Sequence, residues 1–391
     1  SRQLWWGHRI PVWYCKDCGN MMVKRKDPCC CDKCESKNIV QDSDVLDTWF
    51  SSWLWPFSTL GWPENTPDMK RFFPTSTLVT GYDIIFFWVS RMIMASLEFT
   101  DKVPFSDIYI TGLVRDKKGR KMSKSLGNGI DPIDVVNIYG ADAMKFTICY
   151  LATQGQDVLV DMDSFKLGSR FSNKIWNATR YLLMNLEGRN IIPIDTSKFN
   201  AIDKWIYHSL NENILKVRNA IEGYKFNEAA QAVYDFFWND FCDWYVEVSK
   251  LSLYTGDNAE KDRIVSILMD ILASSMKLMH PMLSFLTEEI WSKLPNTEGK
   301  VITALFPKYD EGRVSSKEAQ LMAAAQELIR GIRNMRAELG IGPEKKLRMV
   351  VKIDETGDLS AFMKEHIRLL KEFANADEFK IDDNSSVNVD R

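Results

Sequence analysis

Along the chain the spacing of apolar positions changes near residue 163: short apolar runs between turn residues give way to the 3.6-residue period of helices. In the first part, Ser76-Thr77-Leu78-Val79-Thr80 reads as a buried strand ending at Gly81. Ile84 to Phe99 reads as a helix, and Asp107-Ile108-Tyr109-Ile110-Thr111, after Pro104, as a second strand. Strand, helix, strand is the unit of a parallel sheet, whose ligands gather at the carboxyl ends of the strands. Asp116-Lys117-Lys118-Gly119 reads as a turn, and a helix starts at Asp131-Pro132, where proline suits the first helical position. In the second part, helices are expected over Phe165–Leu186, Ile202–Ile221, Phe226–Leu253 and Ala259–Met279, with another from Pro281 to near Leu294. Long helices with short polar links make an antiparallel bundle. Glu311 to Ser316 reads as a linker to an amphipathic helix that ends at Leu339-Gly340, where glycine suits a C-cap. The alternation of Leu347, Met349, Val351 and Ile353 then predicts a strand, residues 357–375 a helix, and Asp377 to Arg391 a polar tail that frays.

At 391 residues the chain has room for two or three domains, and 45% hydrophobic with 26% charged residues is ordinary for a soluble globular protein. No apolar run approaches the ~18–20 residues of a membrane span, and no signal-peptide pattern opens the chain, so a cytoplasmic location without membrane contact is expected. A net charge of −3 gives no global attraction to nucleic acid, so any such contact needs local basic faces. Three sets stand out. Arg115, Lys117, Lys118, Arg120, Lys121 and Lys124 face a single acid, Asp116; Lys166, Arg170, Lys174, Arg180 and Arg189 lie along one helical stretch; Arg330, Arg333 and Arg336 recur every three residues. From charge alone each set is a solvated face.

Six of the eight cysteines lie between positions 15 and 34. Cys15-Lys16-Asp17-Cys18 and Cys31-Asp32-Lys33-Cys34 are two C-x-x-C knuckles, twelve residues apart. Each gap lets both thiolates reach one metal ion, and two knuckles close a four-sulfur structural zinc shell with no position left for chemistry. Cys29 and Cys30 are extra thiols that the second knuckle could use instead. A disulfide cluster is the competing reading, and it suits a short secreted domain better. Cys149 and Cys242 fall in helical apolar patterns, as buried small hydrophobes.

Lys121-Met122-Ser123-Lys124-Ser125 is a doubly cationic loop that resembles the KMSKS signature of class I aminoacyl-tRNA synthetases. Its surroundings are similar to the valine-specific branch of that family. The matching words are Ser1-Arg2-Gln3-Leu4-Trp5-Trp6-Gly7-His8-Arg9-Ile10-Pro11, Asp44-Val45-Leu46-Asp47-Thr48-Trp49-Phe50-Ser51-Ser52, Thr80-Gly81-Tyr82-Asp83-Ile84-Ile85-Phe86-Phe87-Trp88 and Gly140-Ala141-Asp142-Ala143. The helical region agrees more loosely, in words such as Arg333-Asn334-Met335-Arg336. The family's other phosphate-binding signature, His-x-Gly-His, does not occur, and His8 belongs to a different element. The chain is therefore expected to be a fragment, lacking that motif and the editing insertion, and inactive by itself.

The resemblance implies α/β followed by all-α architecture. Residues 1–125 are the second half of a Rossmann-type catalytic domain, with a zinc ribbon at 12–40 and the KMSKS loop at 121–125. Residues 126–163 are a stem-contact segment, 164–310 a helical anticodon-binding bundle and 311–391 a small α/β junction piece. It also implies activation of L-valine by ATP, with Mg²⁺ accompanying the nucleotide, and transfer to tRNA(Val) by a monomeric ligase. Lys121 and Lys124 are the catalytic cations, with Met122, Ser123 and Ser125 completing the ATP loop. Gly81 allows close backbone approach and Asp83 holds the ribose, although Asp83 alone reads more often as the N-cap of the helix that starts at Ile84. Gly112, Leu113 and Val114 offer backbone groups to adenine; Thr111 departs from the family, where histidine is common. Trp49, Ile84 and Trp88 line the valine side-chain pocket, which rejects a larger residue by size and a near-isostere poorly. Arg180 and Tyr181 match an arginine–aromatic pair that contacts the tRNA loop. The alternatives are an isoleucine-specific relative and a non-catalytic zinc-ribbon RNA-binding module.

Overall fold

The computed structural model describes residues 7–353 and 357–382, so Ser1 to Trp6 of the first matching word lie outside the described residues. The chain divides into two compact units. The first runs to Leu113 and takes back Gln154–Asp157, and the second holds Val114–Thr153 and everything from Val158 on. The KMSKS loop at residues 121–125 lies in the second of these units.

In the first unit, β1 (Val12–Cys15) lies between β2 (Met21–Val23) and β3 (Ile39–Gln41) in an antiparallel sheet. Short helices α1 (Trp49–Ser52), α2 (Trp55–Ser58) and α3 (Pro67–Phe72) follow; Pro67 opens α3 and the Thr66 hydroxyl caps it by accepting from Met69 N. Strands β4 (Thr75–Gly81) and β5 (Phe105–Thr111) pair in parallel, Leu78 opposite Ile108 and Gly81 opposite Thr111. The helix expected over 84–99 is present but irregular. A tight 3-10 turn (Tyr82–Ile84) opens into a wide π turn (Ile85–Val89) before regular α4 (Ser90–Thr100). The Ser90 hydroxyl donates to the Phe86 carbonyl at 2.5 Å, the back-bonding by which serine loosens a helical ladder. Leu78, Val89, Met92 and Phe105 seal this helix to the strands.

The second unit opens with β6 (Val114–Arg115), which pairs in parallel with β7 (Val158–Leu159). Between these strands lie α5 (Pro132–Tyr139), capped by Asp131 as expected, and α6 (Ala141–Leu151). The bundle follows: α7 (Lys166–Leu186), α8 (Ala201–Glu222) and α9 (Phe226–Asp235), which runs through a π segment (Phe236–Val246) into α10 (Glu247–Thr255). It continues with α11 (Asn258–Met279), α12 (Ser284–Trp291) and α13 (Ser316–Glu338). Helix α12 starts later than its proline suggested, and no side chain of its own caps it. The cap comes from α6 instead: the buried Asp142 carboxylate accepts from Phe285 N at 3.3 Å and Leu286 N at 2.6 Å, and Lys145 Nζ donates to Ser284 Oγ at 2.7 Å. The Gly-Ala-Asp-Ala word thus has a structural function.

Strands β8 (Leu347–Lys352) and β9 (Ala376–Asp382) pair in parallel around α14 (Asp358–Glu365) and α15 (Ile367–Ala374). Two expectations change here. The helix over 357–375 breaks at His366, and Asp377–Asp382 of the expected frayed tail belongs to strand β9; the rest of that tail, residues 383–391, lies outside the described residues. The piece also has no core of its own, since Phe362, Met363, Leu370 and Phe379 join the bundle core. Nor are the three arginines one solvated face. Arg336 is buried and donates to the carbonyls of Gly342 (2.9 Å) and Lys345 (2.6 Å), and Arg333 donates to Phe373 O at 3.3 Å.

Asp142→Ala leaves the part-buried N–H groups of Phe285 and Leu286 without this acceptor and should lower unfolding free energy by about 1–2 kcal/mol, Asp142→Asn by less. Equilibrium urea denaturation followed by circular dichroism checks this, with an unchanged m-value.

Candidate functional site

In the first unit the carboxyl end of β4 delivers Gly81, Tyr82 and Asp83. A side chain at Gly81 would bring its Cβ within 2.9 Å of Asp83 Oδ1, so glycine is what lets that carboxylate fold back over the strand end. Asp83 is exposed within the 3-10 turn and caps none of the helices that follow. At Gly112 a Cβ would collide with the Gln156 carbonyl at 1.9 Å, because the returning strand of chain passes against the glycine. Leu113 N donates to Asp157 Oδ1 at 2.8 Å, and the Tyr82 hydroxyl donates to Asp157 Oδ2 at 3.4 Å. The Leu113 N–H expected to meet adenine is therefore engaged by Asp157, a residue that sequence reading passed over because its partner lies 44 positions away.

The three residues assigned to the valine pocket are all half-buried. Trp88 Nε1 donates to Ser52 O at 3.1 Å, which fixes the indole, and Trp55 packs on it at 5.9 Å. Trp49 stacks with Phe87 at 6.5 Å, and the Arg91 guanidinium lies 5.4 Å from its ring. Ile84 ends the 3-10 turn and Trp88 sits in the π turn, so the regular-helix argument that put them on one face does not hold. Trp55, Phe87 and Arg91 were missed; their signal was the aromatic density of residues 49–91.

The ribbon brings its cysteines together as expected. Gly19 N donates to Cys15 O and Glu35 N to Cys31 O, both at 2.9 Å, so the two knuckles are the same turn used twice. Each ends on a left-handed residue, Gly19 (φ 70°) and Glu35 (φ 57°). That geometry selects Cys31 and Cys34, rather than Cys29 and Cys30, as the second pair. The sulfurs of Cys15, Cys18, Cys31 and Cys34 all lie within 4.8 Å of one another, with Cys15–Cys34 and Cys18–Cys31 at 3.6 Å. Four thiolates ~2.3 Å from one tetrahedral ion stand ~3.8 Å apart, so the set fits zinc. The Lys33 N–H donates to Cys31 Sγ and lowers that thiol to about 6. Cys34 gains from the Ser36 N–H, but its bonds with neighbouring sulfurs and its burial push it up to about 12. Four sulfurs so close ionise together only around a cation.

In the second unit the KMSKS loop stands on a hairpin, with Arg115 bridged to Lys121 and the turn closed at Gly119 (φ 74°). Asp116 is the hub: its carboxylate accepts from Lys118 N (3.0 Å), Arg120 N (2.9 Å), Arg120 Nε (2.8 Å) and Asn128 Nδ2 (3.0 Å). Asn128, then Arg120, hold that carboxyl far below its ordinary range. The other end of the Asn128 amide accepts from Ser123 N at 3.0 Å. Ser123 Oγ lies 3.1 Å from Ser125 Oγ and accepts from Leu126 N, so both serines shape the loop. The Lys121 side chain is exposed and Met122 half-buried; the side chain of Lys124 lies outside the described residues. Lys117 pairs with Asp161, whose carboxyl falls to about 2 through that ammonium and Ser164.

On α7, Arg180 is exposed and Tyr181 is not its equal. The Tyr181 hydroxyl is buried, burial raises its phenol well above the usual value, and Lys250 Nζ sits 5.6 Å from its ring. Tyr181 is bundle packing; the exposed aromatic one turn from Arg180 is Trp176. Much of the charge over residues 166–189 is also matched, Lys166 by Asp163, Lys174 by Asp243 and Arg189, just beyond α7, by Asn258 and Asp262.

A parallel strand pair with its glycine and carboxylate at the carboxyl end, a cationic hairpin loop and a helical bundle are the parts of a class I aminoacylating fold. Residues 1–161 match the family of class I tRNA synthetases (I, L, M and V), and residues 203–351 match the anticodon-binding domain of tRNA ligases. The chain belongs to the class I tRNA synthetases. Among its relatives, the valine–tRNA ligase of Treponema denticola is 57% identical over 92% of this chain and 41% of its own length. That of Treponema pallidum is 54% identical over 88% and 37%, and that of Thermotoga maritima 50% over 97% and 42%. The chain thus spans about two fifths of the length of these relatives. Two solved structures share the fold. A LeuRS–tRNA–LeuAMS ternary complex from Agrobacterium radiobacter gives TM-score 0.63 at 21% identity over 80% of this chain and 42% of that one. Mycobacterium tuberculosis methionyl-tRNA synthetase with methionyl-adenylate gives 0.53 at 18%, over 69% and 57%. No helix among the described residues is long and apolar enough to cross a membrane.

Asn128→Ala removes the brace between Asp116 and Ser123 and should make the loop open more readily by about 1–1.5 kcal/mol, on the order of tenfold faster tryptic cleavage after Lys121 and Lys124. Timed proteolysis with mass mapping checks this. Because the Asp116 carboxyl is depressed, its support is complete above the ordinary carboxylate range and fades only as pH falls through its lowered value. Loop protection against an acid-active protease should therefore persist at pH 4.

Proposed function

We propose that this chain serves a valine–tRNA ligase, which joins L-valine to tRNA(Val) with conversion of ATP to AMP and pyrophosphate. The observation that carries the reading is 57% identity to a valine–tRNA ligase across 92% of the chain, with the cationic loop and the glycine–aspartate strand end in place. In the first step a valine carboxylate oxygen attacks the α-phosphorus, and the bond from that phosphorus to the departing pyrophosphate breaks. No protein nucleophile is needed. The protein positions the reactants and neutralises charge that grows on the leaving group. Lys124 makes the strongest contact with that charge, Lys121 assists, and Ser123 and Ser125 keep the loop in shape. Mg²⁺ bound with the nucleotide screens the same oxygens.

Asp83 accepts from the ribose hydroxyls, and Gly81 leaves room for the sugar. Adenine meets the backbone at Gly112 and Val114, with Leu113 joining if Asp157 releases it. Trp49, Ile84 and Trp88 bound the isopropyl group, the indole of Trp88 being pre-set by its bond to Ser52. Zinc held by Cys15, Cys18, Cys31 and Cys34 is structural, because four sulfurs leave it no open position. Residues 126–163 brace the tRNA stem, and the bundle from 164 to 310 meets the anticodon side, Arg180 offering a guanidinium to phosphate or base. Residues 311–391 extend that RNA-facing body.

In a full-length valine–tRNA ligase that contains this chain, valine and not isoleucine should drive ATP–pyrophosphate exchange. Lys124→Ala should lower adenylate formation by about 10²–10³-fold while tRNA affinity changes little. Exchange driven by isoleucine alone would support the isoleucine-specific relative. Absence of exchange with intact tRNA binding would support a non-catalytic RNA-binding module.

A further inference from the structure

Two thiols of the ribbon are left over once its shell is complete. Cys29 is exposed and Cys30 half-buried, both are reduced, and their sulfurs stand 3.6 Å apart. That separation equals the spacing of the sulfur pairs Cys15–Cys34 and Cys18–Cys31 within the shell. It is the bite with which two thiolates grip one ion. The pair lies outside the set of four sulfurs that converge on a single centre, and the repeated knuckle turn ties Cys31, not its predecessors, to the shell.

Joining these two sulfurs to each other is unfavourable. Neighbouring residues across a trans peptide have Cα atoms about 3.8 Å apart, shorter than the ~4.4–6.8 Å a disulfide spans. Among the described residues the peptides in cis precede Pro63 and Pro74, so the Cys29–Cys30 bond is trans. The backbone therefore keeps the pair as a dithiol with its sulfurs 3.6 Å apart, Cys29 exposed and Cys30 half-buried. An acceptor that inserts between two sulfurs relieves the constraint that blocks a direct bond. Soft, polarisable centres are the acceptors thiolates select.

We propose that Cys29 and Cys30 form an open dithiol site for a trivalent, thiophilic metalloid such as an organoarsenical, separate from the closed four-sulfur shell. With phenylarsine oxide, each S–H gives up its proton, two arsenic–sulfur bonds form, and the arsenic-bound oxygen leaves with both protons as water. Arsenic stays trivalent, so no oxidant or reductant enters. The isolated Cys149 and buried Cys242 offer one sulfur each and cannot chelate.

The test titrates the zinc-supplemented chain with phenylarsine oxide at near-equimolar concentration, reading adducts by intact-mass spectrometry and released zinc with a chromogenic chelator. Wild type should take up one arsenical more than the C29S/C30S variant, without releasing zinc. The single variants C29S and C30S, each left with one thiol, should need at least tenfold more reagent for the same labelling. Both positions lie at the surface, and zinc content reports whether each variant keeps its ribbon. Equal uptake by wild type and C29S/C30S, or uptake matched by zinc release, overturns the proposal.

Discussion

A loop that closes over phosphate must carry several cations, and cations held close repel one another. The carboxylate of Asp116 answers that problem from inside the loop. It is only 15% exposed, so its attraction for the Arg120 guanidinium 2.8 Å away is less screened than that of a surface pair. It also gathers two backbone N–H groups and the Asn128 amide, fixing the stem while leaving the tip exposed. Lys117, one residue along, is held by Asp161, and Asp161 in turn receives Ser164 at the entry to α7. The cationic loop is therefore built as part of the unit that carries the helices.

The same logic explains what was legible in the sequence. Features whose partners lie nearby could be read directly: the strand ending at Gly81, the Asp131-Pro132 helix start, the paired knuckles and the loop signature. Misreadings cluster where the partner is distant. The cations over residues 166–189 looked uncompensated because Asp243, Asn258 and Asp262 come from other helices. Arg336 looked like a solvated member of a periodic row, yet a chain reversal brings the Gly342 and Lys345 carbonyls to it. β9 looked like a polar tail because Ala376, Phe379 and Ile381 alternate with charged residues, and its pairing with β8 depends on two intervening helices.

The burial of Tyr181 and the irregular start of the 84–99 helix were hidden for a different reason: periodicity gives a face but not the pitch or the neighbour. A π turn after a 3-10 turn rotates Phe86, Phe87 and Trp88 away from the directions a regular helix assigns. Such insertions cost helical regularity and recur at functional positions. Here the irregular stretch directly follows the strand end that carries Gly81 and Asp83. Rings Trp49, Phe87, Trp55 and Trp88 then brace one another through the short helices α1 and α2, which have too few turns to hold a shape unaided.

The ribbon shows the same dependence on outside support carried to its limit. Its core is Trp13, Cys15, Met22 and Cys31, so two of its four buried residues are cysteines of the converging four-sulfur set. Burying one tryptophan and one methionine supplies only a few kcal/mol, roughly 2–3 kcal/mol per side chain. Strands of three or four residues add little to that. A metal ion whose ligands converge only in the folded state would turn its binding energy into folding energy. Metal binding and ribbon folding would then be one event, resting on the four converging sulfurs alone. Cys29 and Cys30 take no part in that balance, which leaves their surface chemistry free of the fold.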